Sequence, residues 1–371
     1  MLRLRNLYTI LPLILFVFSC AKDEPTIQDE MQDALDDVFS ACNGRGISVA
    51  VMLPNEDIWL YTNQTNGANL ITPDQLFWIA SITKTYTAAA ILQLVEEETL
   101  TLTDSLDKFL PTYPNIDSTI TIHQLLNHTS GVFNDTENPL YDQMMEEDRS
   151  KIWTPEEMLE RMILAPYFNP GEGYHYSNTD YTLLGMIIRN VTGNQLSKEF
   201  RDRLYEPLGL EHTFLDTEEP IVGEFANFWA DFDGNGVWEE VPVLSVERYS
   251  ETSTAWASGG IFATAEDVAR WIWALFHGDV LSSAMLDQML TFNPGPTHFP
   301  GYGYGVLLYP TSLTGGAQAY GHDGNAGFFI SDAIYLPDYE VSITILQNEA
   351  NGTLQTKARE ALCRIIVEHF E

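Results

Sequence analysis

The sequence predicts a fold of the α+β type within the broad α/β class, with one sheet lobe interrupted by a helical lobe. Two features predict it. Strand-like apolar runs sit near both ends of the chain, at residues 46–53 and 58–62 and again at 303–308, 327–335 and 341–347. Between about residues 103 and 217 the pattern turns helical, with connecting loops that contain Pro and Gly.

In chain order, Arg3 and Arg5 precede an apolar run over residues 7–18 that ends at Ser19-Cys20. The run is shorter than the ~20 residues a membrane-spanning helix needs, and it fits the apolar centre of a secretory signal over residues 1–19. Val17-Phe18-Ser19-Cys20 resembles a bacterial lipoprotein cleavage box in which Cys20 carries the lipid. Lys22-Asp23-Glu24 resembles the export signal of surface lipoproteins in Gram-negative bacteria. Export to the outer membrane or cell surface on a lipid anchor is therefore expected, with an ordinary cleaved signal as the alternative.

Residues 20–27 read as a tether and 28–42 as a helix. Pro54, Asn55 and Asp57 make a turn between the first two strands. The strongest helical run covers 81–98 and includes Ala88, Ala89, Ala90, Ile91, Leu92, Leu94 and Val95. Asp231-Phe232-Asp233-Gly234-Asn235-Gly236 starts like a calcium loop, but Pro242 stands where the bidentate Glu belongs. Its Asn-Gly pair lies between two strand-like runs, so a hairpin turn is the preferred reading. A last amphipathic helix is expected over 354–370. One domain then covers 28–371, its sheet lobe about 28–80 and 250–371 and its helical lobe about 81–249.

Of the 371 residues, 45% are hydrophobic and 12% aromatic, enough to fill a large core. Lys and Arg number 18 against 53 for Asp and Glu, a net charge of -35. Nucleic acid and anionic lipid are excluded as partners, because phosphate contacts require clustered cations. Any membrane contact is left to the lipid anchor. With Cys20 lipidated, Cys42 and Cys363 remain as an even pair in an oxidising compartment, open to a disulfide or to two unrelated buried thiols.

Three short segments carry the chemistry. Ser81-Ile82-Thr83-Lys84 opens the long helix, and positions i and i+3 share one helix face, so Lys84 sits beneath Ser81. A serine hydroxyl needs a base to become a nucleophile, and burial keeps an amine neutral enough to serve. Tyr176-Ser177-Asn178 follows Pro170-Gly171 and precedes an apolar helical run, so a loop presents Tyr176 as a proton relay and Asn178 as a positioning amide. His322-Asp323-Gly324 lies at a Gly-rich strand edge where a substrate backbone can approach, and the N–H groups of Ser81 and Asn325 are the expected oxyanion donors. Each segment alone also reads as ordinary structure: a cap, a turn, a buried histidine.

Together and in this order the segments resemble the serine β-lactamase and penicillin-binding-protein superfamily, nearest its class C-like branch of DD-peptidases, D-aminopeptidases and esterases. Leu125-Leu126-Asn127-His128-Thr129-Ser130-Gly131, Pro207-Leu208-Gly209-Leu210 and Ser258-Gly259-Gly260 resemble further landmarks of that group. The resemblance implies a β-lactamase/transpeptidase-like fold, in which an antiparallel sheet flanked by helices carries an inserted all-helical lobe. It implies Ser81 as nucleophile, Lys84 and Tyr176 sharing proton transfer, and Asn178, His322, Gly324 and Asn325 binding substrate. No metal or organic cofactor is required.

His322 and Asp323 depart from the Lys-Thr-Gly of true β-lactamases. A histidine is positive only when protonated, which weakens recognition of a substrate carboxylate. Ester hydrolysis is therefore the leading expectation, on a small-molecule ester, amide or peptide. The alternatives are a DD-carboxypeptidase or D-aminopeptidase acting on cell-wall peptides, and, from another class, an inactive surface binding protein. Loops 134–149 and 292–300 are expected to shape the pocket, with Tyr141, Met144, Met145 and Phe299 as lining candidates.

Overall fold

The computed structural model describes residues 25–65, 70–243, 247–295, 298–350 and 352–371. The expected signal segment, Cys20 and most of the tether lie outside these residues. The described strands are β1 (Gly46–Met52), β2 (Ile58–Gln64), β3 (Phe77–Trp78), β4 (Thr213–Leu215), β5 (Phe228–Ala230), β6 (Glu239–Val241), β7 (Ile261–Ala263), β8 (Gly301–Tyr302), β9 (Leu307–Leu308), β10 (Tyr320–Asn325), β11 (Ile330–Leu336) and β12 (Val341–Gln347). The helices are α1 (Ile27–Ala41), α2 (Thr83–Glu96), α3 (Ile122–Leu126), α4 (Tyr141–Glu147), α5 (Pro155–Met162), α6 (Asn178–Thr192), α7 (Leu196–Phe200), α8 (Glu206–Leu208), α9 (Tyr249–Gly259), α10 (Ala265–His277), α11 (Ser283–Met289) and α12 (Gly352–Phe370).

Seven strands form an antiparallel sheet in the order β2-β1-β12-β11-β10-β9-β8, so both ends of the chain meet in one sheet. The register explains the apolar pattern of β1. Alternate side chains point to opposite faces. Ile47, Val49 and Val51 enter a core with Met31 and Leu35 of α1 and Leu354 and Leu362 of α12. Ala50 and Met52 enter the other core, which holds α2, α6 and α10. Both faces are covered, so the strand is buried throughout and carries no polar alternation. In β12, Ile343 and Ile345 face α1 and α12, while the Ser342 hydroxyl donates to the Ala269 carbonyl of α10 at 2.8 Å.

Local signals set the element ends. Thr26 and Asp29 form a reciprocal capping box on α1, and Gly193 closes α6 in the left-handed region. The Asn-Gly segment is a hairpin turn between β5 and β6, with the Asp231 carboxylate accepting from the backbone N–H groups of Asn235 and Gly236.

One expectation is corrected, and one alternative left open by the sequence is decided. The strand expected at 303–308 is the hairpin β8–β9, since Gly303 and Gly305 lie in its turn. No disulfide joins Cys42 to Cys363, which is a buried thiol in α12. Cys363 is enclosed in the apolar core that α12 shares with the sheet, where burial pushes its thiol pKa up to about 12.

Candidate active site

The nucleophile candidate sits in a tight turn ahead of α2. Residues Ala80–Ile82 form a single 3-10 turn, and Ala80 holds φ at 47°, a conformation alanine rarely adopts. Tertiary contacts hold it there. The Ile79 N–H donates to the Ile261 carbonyl at 3.0 Å, and the Ser331 hydroxyl donates to the Ile79 carbonyl at 2.8 Å.

Lys84 enters α2 one turn later and is fully buried. Its Nζ lies 3.1 Å from Ser81 Oγ, 2.7 Å from Asn178 Oδ1 and 2.7 Å from the Ser258 carbonyl. The last two groups can only accept, so a neutral amine spends both protons on them. Its lone pair is then left for the Ser81 hydroxyl to donate into. Burial brings the Lys84 pKa down from 10.5 to about 7, against the opposing pull of Asp135, Asp323 and Asp180. Tyr176 also interacts with the Ser81 side chain, and burial holds its phenol well above the ordinary range, so it is protonated at neutral pH. Its ring centroid is 4.9 Å from Lys84 Nζ.

Asn178 opens α6, where its N–H donates to Asn134 Oδ1 at 3.0 Å and its Nδ2 to Thr136 Oγ1 at 3.3 Å. Those bonds turn Oδ1 toward the lysine. The Tyr176 segment is tied to the loop after α3. There the His175 N–H donates to the His128 carbonyl at 3.1 Å, and the His128 ring packs 4.4 Å from the Tyr176 ring. His128 Nδ1 is in turn 2.8 Å from Asp180 Oδ2, both residues being fully buried. Gly131 holds φ at 78° with the Phe168 carbonyl 2.2 Å from where a Cβ would stand, so only glycine fits there. Residues 127–131 thus brace the tyrosine from behind.

The carbonyls of one bend in α9 supply a contact to which the sequence reading assigned no role. Trp256 has φ 31° and ψ -116° inside this helix, which turns three successive carbonyls outward. Ala257 accepts from Thr87 Oγ1, Ser258 from Lys84 Nζ, and Gly259 from Trp78 Nε1. The Ser-Gly-Gly landmark marks this bend, but the carbonyl's aim depends on the fold.

Strand β10 borders the site on the opposite side. The Ala326 N–H bonds to the Phe329 carbonyl, and antiparallel ladders alternate bonded and non-bonded pairs. Asn325 opposite Ile330 is therefore a non-bonded pair, and its N–H points away from β11. On that side β9 has ended, since it pairs only with Tyr320 and Gly321. Ser81, Asn178 and Asn325 all line one cleft of about 360 Å³.

Two of the residues expected on the pocket wall lie behind it. His322 is 1% exposed. Its Nδ1–H donates to the Asp323 carbonyl at 2.5 Å, and its Nε2 accepts from the Tyr302 hydroxyl at 3.1 Å. Burial, reinforced by Lys84, pushes its pKa down to about 3, so the ring is neutral and carries no charge for a substrate carboxylate. Gly324 is not an open strand edge. A Cβ there would stand 2.5 Å from the Ile79 carbonyl and 3.0 Å from Ala80 Cβ. Its bareness lets β10 close on the nucleophile's turn. Gly324→Ala is expected to cost about 1–3 kcal/mol of stability, as overpacking does, and to lower kcat by displacing Ser81. Thermal unfolding and steady-state kinetics on one purified variant check both.

Of the lining candidates, Tyr141 and Met145 border the cleft, and Phe299 packs instead on Tyr309 with ring centroids 5.1 Å apart. Loop 292–300 contributes no lining among the described residues, whereas Asp135, Thr136, Asp142 and Glu146 do.

The family model for β-lactamases matches residues 34–364. Penicillin-binding protein 4* of Bacillus subtilis is 27% identical over 308 residues, which cover 79% of this chain and 65% of that protein. The chain thus spans less than two thirds of that relative. Penicillin-binding protein 4 of Amycolatopsis lactamdurans is 27% identical over 76% of this chain and 74% of its own. Among solved structures, a D-stereospecific amidohydrolase from Streptomyces sp. superposes with a TM-score of 0.77 at 29% identity, covering 91% of this chain and 98% of its own. The D-amino acid amidase of Ochrobactrum anthropi SV3 reaches 0.79 at 27% identity, covering 93% and 99%. A match running from the first helix to the last leaves one assignment: the chain belongs to the β-lactamase family, within the serine β-lactamase and penicillin-binding-protein superfamily.

Proposed function

We propose that the chain hydrolyses esters, or amides without a free carboxylate beside the scissile bond, through an acyl-enzyme at Ser81. Neutral Lys84 takes the Ser81 proton as Oγ bonds to the substrate carbonyl carbon. The N–H groups of Ser81 and Asn325 receive the oxyanion. Collapse of the tetrahedral adduct breaks the bond to the leaving group, which takes a proton passed through Lys84 and the Tyr176 phenol. Water then repeats the sequence on the acyl-enzyme and restores Ser81.

The observation that carries the substrate class is the buried, neutral His322 in place of a fixed cation. A substrate carboxylate meets no charge there, which disfavours the DD-carboxypeptidase alternative. Amide turnover has separate support from the similarity to amidohydrolase and amidase structures. Side-by-side assays of 4-nitrophenyl esters, amino-acid amides and acyl-D-Ala-D-Ala test the assignment. Esters or amides are expected to exceed the dipeptide in kcat/KM by at least about tenfold, and preference for the dipeptide contradicts it. Export and anchoring through Cys20 belong to the same proposal, supported by the Arg3/Arg5, apolar and Ser19-Cys20 pattern.

A further inference from the structure

Building on the hydrolase reading, we propose that Glu218, outside the cleft, is a positioning residue for Lys84. With Asp216 it clasps α9 in the strained bend that keeps the Ser258 carbonyl on the lysine amine. Trp256, at that bend, has φ 31° and ψ -116°, a backbone conformation that a bulky residue enters only under constraint. Local preference opposes the bend, so the constraint comes from elements packed against α9.

The turn that follows β4 holds α9 before, after and at the bend. Before α9, the Arg248 guanidinium lies 3.0 Å from Asp216 Oδ2 and donates from Nη2 to Oδ1 at 3.2 Å. After α9, the Asp216 N–H donates to the Gly260 carbonyl at 3.0 Å. At the bend itself, the Trp256 indole Nε1–H donates to Glu218 Oε1 at 2.7 Å. The turn is anchored in its own right, because the Ser197 N–H of α7 donates to Glu218 Oε2 at 2.8 Å. Thr217, between the two acidic residues, holds φ at 70°. Helix α6 forms the facing wall. A Cβ on Gly185 would stand 2.8 Å from Trp256 Cζ3, and the Arg189 guanidinium lies 5.0 Å from the indole centroid. Trp256 is thereby buried and fixed at its polar edge by Glu218.

The consequence reaches Ser81 through one carbonyl. Neutral Lys84 aims its lone pair at the Ser81 hydroxyl only while both amine protons are engaged, one by Asn178 Oδ1 and one by the Ser258 carbonyl. Ser258 lies two residues past Trp256, so a relaxed backbone at the bend redirects that carbonyl. The amine then offers Ser81 Oγ a proton in place of the lone pair, and the hydroxyl loses its base. Neither Glu218 nor Trp256 lines the cleft. This route therefore weakens attack by Ser81 and leaves substrate binding unchanged.

Labelling of Ser81 by a fluorophosphonate, followed to saturation on the full chain, tests the proposal, since the limiting rate and the half-saturating concentration are read separately. Glu218→Ala removes the acceptor, and Trp256→Phe removes the indole donor while keeping a ring. Each is expected to lower the limiting rate about ten- to a hundredfold, the scale of a small misplacement of a catalytic group, and to move the half-saturating concentration less than about threefold. Both substitutions break the same bond, so the double variant should label as slowly as the slower single one. Limiting rates within about twofold of wild type in both single variants, or losses that multiply in the double variant, overturn the proposal. Trp256→Phe decides alone if Glu218→Ala does not fold, because it leaves Glu218 bonded to the Ser197 N–H; an unchanged limiting rate then overturns the proposal. If the wild-type chain takes no label at Ser81, the hydrolase reading falls, and this inference with it.

Discussion

Ser81→Ala is expected to bring ester hydrolysis down at least about 10⁴-fold, close to the buffer rate, while leaving the fold intact. The structural cost is small. The hydroxyl interacts with Lys84 and Tyr176 at the edge of a cleft, and a lost bond of that kind is worth about 1 kcal/mol. In the variant, Lys84 keeps both of its fixed acceptors, the Asn178 amide oxygen and the Ser258 carbonyl. Steady-state rates and thermal unfolding of the same preparation separate the two effects. A variant retaining more than about 1% of activity contradicts the role of Ser81.

Lys84→Met is expected to lower kcat about 10³-fold, the scale of a lost general base. Its stability has a signed pH dependence. In the folded chain Lys84 loses its proton near pH 7, and in the unfolded chain near its ordinary 10.5. Between those values the unfolded chain binds more protons, so the contribution of Lys84 to stability rises with pH in that window. Methionine has no such term. Wild type should therefore gain stability relative to Lys84→Met as pH rises from about 7 to 10, measured by denaturant unfolding of both at each pH. A constant difference across that range contradicts a depressed lysine pKa.

Much of the scaffold could be read from apolar spacing. The run at 341–347 is strand β12 residue for residue, and the final helix begins within two residues of its expected start. Those elements are decided by local pattern plus burial, and both signals lie in the sequence itself. The Ser81–Lys84 pair was legible from helical spacing, whereas its meeting with Asn178, 94 residues later, was implied by the resemblance of the three segments to the superfamily. His322 and Gly324 were misread for one shared reason. Whether a strand residue faces solvent or a neighbouring turn depends on which element packs against it, and the turn at 80–82 belongs to a segment about 240 residues earlier. The strained Ala80 left no sequence mark, since alanine gives no hint of positive φ. Likewise the aim of the Ser258 carbonyl arises from the packing of α9 against α2. Cysteine parity left a disulfide open, and parity carries no information on where the fold places the two residues.

The central claim is that a buried, neutral Lys84 activates Ser81. The rate at which a fluorophosphonate labels Ser81 reports attack by its Oγ on phosphorus, with fluoride as the leaving group and no deacylation step. Mapped by peptide mass spectrometry between pH 5 and 9, the adduct should form on Ser81 and its rate should climb about tenfold per pH unit before levelling near pH 7. A label found elsewhere in the chain, or a Ser81 labelling rate that is flat across that range, would contradict the account.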